Sequence, residues 1–342
     1  MIAPNPSANG LQGIRDRGID VLTLEWVKMS TAWTVVETFG ELGFEARAVA
    51  ANEFVVSPDR IAFLGGNARW HGSVLDRIRH ASREQRPLVI VWHTEPLPLP
   101  RETGLSTAPL TVREIAKLVL RDRRINDARS NARHMHQLDK EGIVDLLTVS
   151  EKSFQAFLAQ EGIPTEHIPL GYHRVHGQRL DLERDIEVLF LGDQHVRRRK
   201  RIIQRLAEEG VAVQALGNYG DPRYWGDSRT ELLNRTKILL NLSRHPGLQN
   251  DVRLVLGMVT GALVVSEPIY YPDPYVPGTH YVDAPLDELA QTIKRYLHDV
   301  QAREEITAAA YAFVTEELTM KKMFAHLLEI AASKLEGARA AS

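Results

Sequence analysis

Short apolar runs that alternate with amphipathic segments constrain the fold of this chain more than any other feature of its sequence. The runs Pro87–Trp92 (PLVIVW) and Asp185–Leu191 (DIEVLFL) have the length and composition of buried strands. Segments with the helical spacing of apolar residues, such as Val196–Glu209, separate most of these runs. Strands that alternate with helices in this way form parallel sheets, because a parallel pair needs a long crossover connection. The pattern therefore predicts an α/β protein.

The length of 342 residues predicts two domains, because a single core rarely grows that large. Residues 166–184 contain proline and glycine and have weak periodicity, which is typical of a linker. We expect an N-terminal domain at 1–165, a C-terminal domain at 185–318, and a final helix at 319–342 that could pack back on the N-terminal domain. Ligands of parallel sheets bind beyond the carboxyl ends of the strands. We therefore expect two Rossmann-like domains that face a cleft.

The composition and the absence of common motifs exclude several classes of protein. The net charge of −2 gives no global attraction to nucleic acid, so no nucleic-acid partner is expected. The absence of cysteine excludes disulfides and thiolate chemistry. No signal peptide and no run of ~18 apolar residues is present, which favours a cytoplasmic protein without a transmembrane segment. The motifs GxGxxG, GxxxxGK[ST], HExxH and GxSxG do not occur.

A basic turn follows the first strand of the C-terminal half. Gly192 ends that strand, and Arg197–Arg201 (RRRKR) open the next helix. A helix N-terminus attracts anions, so cationic side chains there are unusual unless an anion lies between them and the backbone. A diphosphate clamped by arginine and lysine explains the cluster. The alternative is a solvated basic helix face.

A second helix N-terminus follows a neighbouring strand. The polar loop Ser243–Asn250 (SRHPGLQN) joins the strand KILLNL to a helix that begins near Asp251. Its amides offer another phosphate site, and Arg244 and Arg253 could contact a phosphate or a ribose. The alternative, which is compatible with the first, is that Asn250 or Asp251 caps the helix.

The order of features from Asp185 to about Ile330 resembles the C-terminal domain of GT-B glycosyltransferases. The segments that carry the resemblance are EVLFLGDQHVRRRKRII, NRTKILLNLSRH, DVRLVLGMVTGALVVSEP, VPGTHYVDAPLDELAQTIKRYLHD and TEELTMKKMF. They are most similar to the CgeB-like branch and to the family-4-like group. The resemblance implies transfer of a sugar from a nucleotide sugar, which is a substrate rather than a cofactor. It also implies that basic side chains and helix N-termini, rather than a metal ion, stabilise the diphosphate.

The resemblance also assigns positions around the donor. Arg199 and Lys200 fall at the diphosphate, and Glu267 falls near the donor. The full expected donor set is Gly192, Arg198, Arg199, Lys200, Asn218, Tyr219, Asn241, Ser243, Arg244, Asn250, Asp251, Arg253, Ser266 and Glu267. One position departs from the family pattern: Leu256 stands where a glutamate usually binds the ribose. Glu267 could take over that role, or the protein could have lost its activity. Whether the reaction retains or inverts configuration stays open.

The N-terminal half offers one candidate catalytic segment, the sequence WHTEP at Trp92–Pro96. It leaves a buried strand and enters a proline-rich loop. His93 and Glu95 are two residues apart in an extended segment, so their side chains would lie on one side. Glu95 could act as a general base on an acceptor hydroxyl, with His93 orienting or binding the sugar. The alternative is that Glu95 forms a structural ion pair and His93 only ends the strand.

The sequence therefore predicts a metal-independent glycosyltransferase with a nucleotide sugar donor and an unidentified acceptor. Two rival functions stay open at this point. One is a sugar-nucleotide epimerase of the same fold, and the other is a silent nucleotide-binding or partner-binding protein of this fold.

Overall fold

The computed structural model describes residues 8–23, 32–104, 112–119, 128–217 and 221–340. The chain divides into two compact units. The N-terminal unit comprises Met1–Pro169 together with Lys321–Ser342, and the C-terminal unit comprises Leu170–Met320. Each unit contains one parallel sheet with helices, so the predicted α/β architecture of two Rossmann-like domains is confirmed. No helix in the described ranges combines the length and apolarity needed to cross a bilayer.

The N-terminal unit is built on a six-stranded parallel sheet with the order β2-β1-β3-β4-β5-β6. Its strands are β1 (Gly18–Thr23), β2 (Ala46–Ala50), β3 (Arg60–Gly66), β4 (Leu88–His93), β5 (Leu146–Val149) and β6 (Glu166–His167). Its helices are α1 (Ala8–Arg15), α2 (Ala32–Glu41), α3 (Gly72–His80), α4 (Val112–Val119), α5 (Ala128–Glu141) and α6 (Lys152–Gln160). Every residue of β4 is buried, which explains why its sequence is an uninterrupted apolar run up to His93.

The last helix of the chain completes the core of the N-terminal unit. This helix, which we number α12 (Met320–Ala340), belongs to that unit from Lys321 onward. Phe324 stacks on Phe39 with ring centroids 5.0 Å apart and meets Trp92 edge-on at 5.3 Å. Phe63 joins the same aromatic cluster at 5.7 Å from Phe324. Because these rings are buried, the helix contributes apolar surface that stabilises the N-terminal sheet.

The C-terminal unit has a five-stranded parallel sheet with the order β11-β10-β9-β7-β8. Its strands are β7 (Ile186–Leu191), β8 (Gln214–Leu216), β9 (Thr236–Asn241), β10 (Leu263–Ser266) and β11 (Val282–Asp283). Its helices are α7 (Arg197–Glu208), α8 (Gly226–Asn234), α9 (Asp251–Thr260), α10 (Leu289–His298) and α11 (Val300–Ala312). The buried core includes Phe190, Leu240 and Val265 from the strands and Ile293 from α10.

Several boundaries differ from the sequence-based expectation. The sequence indicated neither α1 nor the two-residue strands β6 and β11, which are too short to show periodicity. The apolar spacing of residues 301–318 predicts one helix, and in the structure it changes to a π-helical turn at Phe313–Glu317. The run Asp20–Trp26 (DVLTLEW) predicts the first strand, which is described only to Thr23, since residues 24–26 lie outside the described ranges.

The C-terminal part of the segment expected as a linker, residues 178–184, is hydrogen-bonded to the rest of the C-terminal unit. Asn234 bonds to the backbone at two points of it, through Leu180 N at 2.7 Å and Gln178 O at 2.9 Å. The Arg184 guanidinium donates to the carbonyls of Leu233, Thr236 and Thr260. Residues 178–184 are therefore part of the packed surface of this unit rather than a free connection.

Candidate functional site

A cavity of about 300 Å³ lies at the carboxyl ends of β7, β8 and β9 in the C-terminal unit. Parallel sheets bind ligands at this edge, because helix N-termini and loops converge there. The cavity is lined by Leu191, Gly192, Asp193, Arg199, Gly217, Tyr224, Trp225, Arg229, Leu239, Arg244, Asn250, Val252, Arg253 and Leu256. The structure thus brings five of the expected donor residues into one cavity: Gly192, Arg199, Arg244, Asn250 and Arg253.

Two glycines shape the floor of this cavity. A Cβ atom at Gly217 would lie 3.0 Å from the backbone nitrogen of Gly192. A Cβ atom at Gly192 would lie 3.0 Å from Nη2 of Arg253. The φ of +103° at Gly217 also disfavours other residues. Glycine at both positions therefore lets the ends of β7 and β8 approach each other beneath the arginine.

Arg199 and Arg253 form the cationic centre of the cavity. Both are buried, and both guanidinium groups lie over the ring of Phe190, at 5.5 Å and 5.2 Å from its centroid. Arg199 Nε donates to the Leu242 carbonyl at 2.9 Å. Arg253 Nη1 donates to Asn241 Oδ1 at 2.6 Å. These neutral partners fix both guanidinium groups in place without cancelling their charge.

Acidic groups compensate the positive charge at this centre through space rather than through hydrogen bonds. Burial lowers the pKa of Arg253 to about 9, and the charge of Arg199 contributes to that decrease. Burial, followed by the charge of Arg244, lowers the pKa of Arg199 to about 10. Against these effects, Asp193 and Glu267 raise the pKa of Arg199. Glu267 also raises the pKa of Arg253. Among the described lining residues, Asp193 is the only acid beside four arginines. A buried charge is expensive unless it is paired, so the site is built to receive an anion.

Arg198 and Glu267 were expected at the donor but pair with each other instead. Arg198 Nη1 lies 2.8 Å from Glu267 Oε1, and Nη2 bonds to Oε2. Glu267 also accepts the backbone N–H of Ser243 at 2.8 Å. Its carboxylate is almost fully buried and does not line the cavity. The cavity geometry does not support the suggestion that Glu267 replaces the ribose-binding glutamate, because its carboxylate bonds to Arg198 and Ser243 outside the cavity wall.

Three other expected donor residues, Asn241, Ser243 and Ser266, support the cavity from outside it. The Asn241 side chain, which accepts from Arg253, donates to Ser266 Oγ at 2.9 Å. Ser243 Oγ donates to the carbonyl of Leu248 within its own loop. All three residues are buried and absent from the cavity wall. Their placement is a correction of the expected direct contacts: they hold Arg253 and the loop before α9.

The N-terminus of α9 combines a cap with a cavity wall. Asn250 Oδ1 accepts the Arg253 N–H at 3.0 Å, so Asn250 is the capping residue, and it also lines the cavity. Asp251 is buried away from the cavity and accepts from Gln249. Burial raises the pKa of Asp251 to about 7. Asp251 is therefore a structural residue and not the donor contact that the sequence predicted.

Three expected donor residues remain: one is exposed, and two lie outside the residues that the structure describes. Lys200 lies in the first turn of α7, exposed and away from the cavity, so its expected diphosphate contact is not present. Asn218 and Tyr219 lie outside the described residues.

Nine lining residues were not in the expected donor set, and four of them have charged or aromatic side chains: Asp193, Tyr224, Trp225 and Arg229. Tyr224 and Trp225 precede α8, and Arg229 lies in it. The signal that could have found them is the aromatic pair just before a helix in the region that follows β8. A second signal is Arg229, a basic residue at a buried helix position.

In the N-terminal unit, the two expected catalytic residues have different environments. His93, at the end of β4, is 0% exposed, and burial lowers its pKa to about 3. Glu95 is partly exposed in the loop that follows. The sequence placed both side chains on one accessible side. That expectation is wrong for His93, because β4 is central in the sheet and its neighbours cover it.

A cavity of about 450 Å³ also occurs in the N-terminal unit. Its lining includes Arg17, Arg86, Leu88 and Asp145, which precede or begin strands. It therefore lies at the amino ends of the strands, the edge where parallel sheets rarely bind substrates. The smaller cavity in the C-terminal unit is the better candidate site despite its size.

Part of the chain matches a known protein family. Residues 197–329 match the model of a family described as glycosyl transferase-like. This range covers α7 to α12 and includes most of the cavity wall. No curated protein matches the chain.

Solved structures share the architecture at low sequence identity. HepE from Anabaena in complex with UDP-glucose is 14% identical, with a TM-score of 0.57 over 96% of this chain and 96% of that chain. An alpha-glucosyltransferase in complex with UDP-glucose and DNA containing an abasic site is 11% identical, with a TM-score of 0.53 over 92% and 98%.

A mutant form of TarM from S. aureus, in complex with fondaparinux, alpha-GlcNAc-glycerol and UDP, is 9% identical with a TM-score of 0.57. The match covers 81% of this chain and 56% of that one, so the chain spans little more than half the length of TarM.

The fold defines the architectural class. Two Rossmann-like units, each built on one parallel sheet, are the GT-B architecture. The expected GT-B fold is thus confirmed, and residues 197–329 match the glycosyl transferase-like family model. Membership of the CgeB-like branch stays a prediction.

Proposed function

We propose that the chain transfers a sugar from a nucleoside diphosphate donor to a hydroxyl-bearing acceptor. The observation that carries the proposal is the buried pair Arg199 and Arg253, whose charges meet only neutral hydrogen-bond partners at the strand ends. A diphosphate supplies the missing negative charge. The glycosyl transferase-like match over the same residues and the UDP-glucose in the HepE structure support this choice of anion.

In the proposed chemistry, positive side chains lie where negative charge develops on the leaving diphosphate. As the bond from the sugar to the diphosphate breaks, negative charge grows on the phosphate oxygens. Guanidinium groups that are already held in position stabilise that charge without reorganising, which is a large term in many enzymes. Arg199 and Arg253 would fill this role, with Arg244 at the wall of the same cavity. Because arginines supply the charge, we propose a reaction that needs no divalent metal.

Glu95 is the proposed general base. It is partly exposed and follows β4 in a loop that contains Pro96, Pro98 and Pro100. Proline restricts the backbone, so the carboxylate is held in a narrow range of positions. His93 receives no role at the sugar, because it is fully buried and neutral.

A cytoplasmic location belongs to the same proposal, since a chain without cysteine is compatible with a reducing compartment.

Binding and turnover assays with a panel of nucleotide sugars test the proposal. Donor binding should raise the melting temperature of the native protein. Release of nucleoside diphosphate with a new glycoside, undiminished by EDTA, is the expected result. Conversion of the donor to an isomer would instead indicate an epimerase. Tight binding without any turnover would indicate a silent protein, an alternative that the resemblance supports because it aligns Leu256 with the usual ribose-binding glutamate.

A further inference from the structure

Arg229 lines the same cavity from α8, a different helix from those that carry Arg199 and Arg253, and it has hydrogen-bonding capacity that the described residues do not use. It is buried in α8, and its Nη2 donates to the Val175 carbonyl at 2.7 Å. Its Nε is buried and has no hydrogen-bond partner among the described residues. A guanidinium that lines a cavity and keeps unused donors favours a ligand that carries hydrogen-bond acceptors.

The surroundings of Arg229 are aromatic, apolar or neutral. Its guanidinium carbon lies 5.4 Å from the ring centroid of Trp225. Burial lowers the pKa of neighbouring His176 to about 3, so that imidazole is neutral. The nearby cavity wall includes Tyr224 and Leu256. The part of the cavity wall that α8 and the residues before it supply therefore offers aromatic surfaces and a donor, while α7 and α9 supply the arginines proposed to bind the phosphates.

These features match the chemistry of a nucleobase. Aromatic side chains stack on any base, so stacking alone does not discriminate. A guanidinium has only donors. Guanine presents the carbonyl oxygen O6, and uracil presents O4 as thymine does, whereas adenine and cytosine present an amino group at the equivalent position. Arg229 can bond to the carbonyl oxygens but opposes the amino groups.

We propose that Arg229 reads the base of the bound nucleotide and selects a keto base, uracil or guanine, over an amino base. The inference rests on the proposed function, since it needs a nucleotide in the cavity. It adds the residue that determines base specificity, a role that falls to α8 rather than to the segments that hold the phosphates. Leu256 adds no acceptor that could compensate an amino base, because its side chain is apolar.

Calorimetric titration of the full chain with UDP, CDP, GDP and ADP tests the proposal. The two matched pairs, UDP with CDP and GDP with ADP, differ mainly at the carbonyl or amino group. We expect the keto member of at least one pair to bind about tenfold or more tightly, as for a site that rejects a ligand leaving its polar group unpaired. The identity of that pair tells whether the natural base is uracil or guanine.

The variant Arg229→Met keeps most of the side-chain length but removes the donors. It should weaken binding of the preferred keto nucleotide to the level of its amino partner and leave the amino partner unchanged. Arg229→Lys, which keeps the charge and lacks the fork of donors, serves if the methionine variant does not fold. Arg235→Met is the matched control, because Arg235 follows the same helix and pairs with exposed Asp185 outside the cavity.

The possible outcomes separate the two proposals. Equal affinities within both pairs, or a preference that survives in Arg229→Met, would overturn the role of Arg229 and leave the phosphate site intact. If neither inorganic pyrophosphate nor any of the four nucleotides binds, the proposed function fails and this inference fails with it. A keto preference that Arg229→Met abolishes and Arg235→Met preserves supports both.

Discussion

The carboxyl ends of the two sheets are built from the same kind of parallel strands but have opposite chemistry. In the C-terminal unit, Arg199 and Arg253 hold buried positive charge around a cavity. In the N-terminal unit, His71 and His93 are almost completely buried, and burial lowers the pKa of both. The first arrangement is organised for an anionic ligand before it arrives. The second keeps its polar rings neutral and closed, and Glu95 in the following loop is partly accessible.

Under the proposed function, the C-terminal unit binds the donor and the N-terminal unit supplies the general base, and Glu95→Gln tests this division most strongly. The variant keeps the shape of the side chain and removes its ability to accept a proton. Turnover should fall by ~10²–10⁴-fold, the usual contribution of a general base. The dissociation constant for the donor nucleotide should hardly change, because the nucleotide site lies in the C-terminal unit.

A melting curve and the donor affinity serve as controls for Glu95→Gln. If the variant loses stability and keeps its rate per folded molecule, Glu95 forms a structural interaction. Near-normal turnover in a stable variant would remove Glu95 from the mechanism and favour a reaction without a general base.

Arg199→Met tests the claim that the cationic centre binds the phosphates. Charge-assisted hydrogen bonds contribute about 1.5–3 kcal/mol. We therefore expect the dissociation constant for the nucleotide to rise by roughly 10- to 100-fold in calorimetric titration. Lys200→Met is the matched control, since Lys200 is the next residue in α7 but is exposed. Equal effects of the two variants would show that the helix contributes only general positive charge.

Acid sensitivity tests the closed, neutral character of the N-terminal strand ends. The pKa of His93 is about 3 in the folded state, against about 6.5 in an unfolded chain. The unfolded state therefore binds more protons between these values, and stability falls as the pH decreases below about 6.5. Each such histidine contributes at most ~1.4 kcal/mol per pH unit.

Denaturant unfolding between pH 7 and pH 5 measures this effect, and His93→Gln is the informative variant. Its free energy of unfolding should decline less steeply with decreasing pH than that of the wild type, whatever its stability at pH 7. If the free energy of unfolding decreases equally with decreasing pH in the two proteins, His93 becomes protonated in the folded state. His93 would then not be buried in a neutral form.

The smallest expected effect concerns the ribose. A glutamate at the position of Leu256 would accept hydrogen bonds from the ribose hydroxyls, whereas the leucine offers only apolar contact. We expect 2′-deoxy-UDP and UDP, or the corresponding guanosine pair, to bind within about threefold of each other, because no carboxylate is lost as a partner. A difference above tenfold would reveal another acceptor for the 2′-hydroxyl.

Much of the fold was predictable because it depends on local patterns. The strands β4, β7 and β9 are apolar runs of strand length, and the helices between the strands have apolar residues at helical spacing. The short strands β6 and β11 were not predictable, since two residues carry no periodicity. The cap of α9 was predictable as Asn250 or Asp251, because an N-cap is a local interaction, and the structure shows that it is Asn250.

The sequence by itself determined the α/β class, the second helix N-terminus and a basic cluster at a strand end. Only the tertiary structure decided which basic residue does what. Consecutive residues of a helix point about 100° apart. Arg199 therefore faces the cavity, Arg198 reaches Glu267 and Lys200 lies in solvent. The involvement of Arg229 and the engagement of Glu267 depend on contacts between residues distant in the chain, and local patterns do not contain that information.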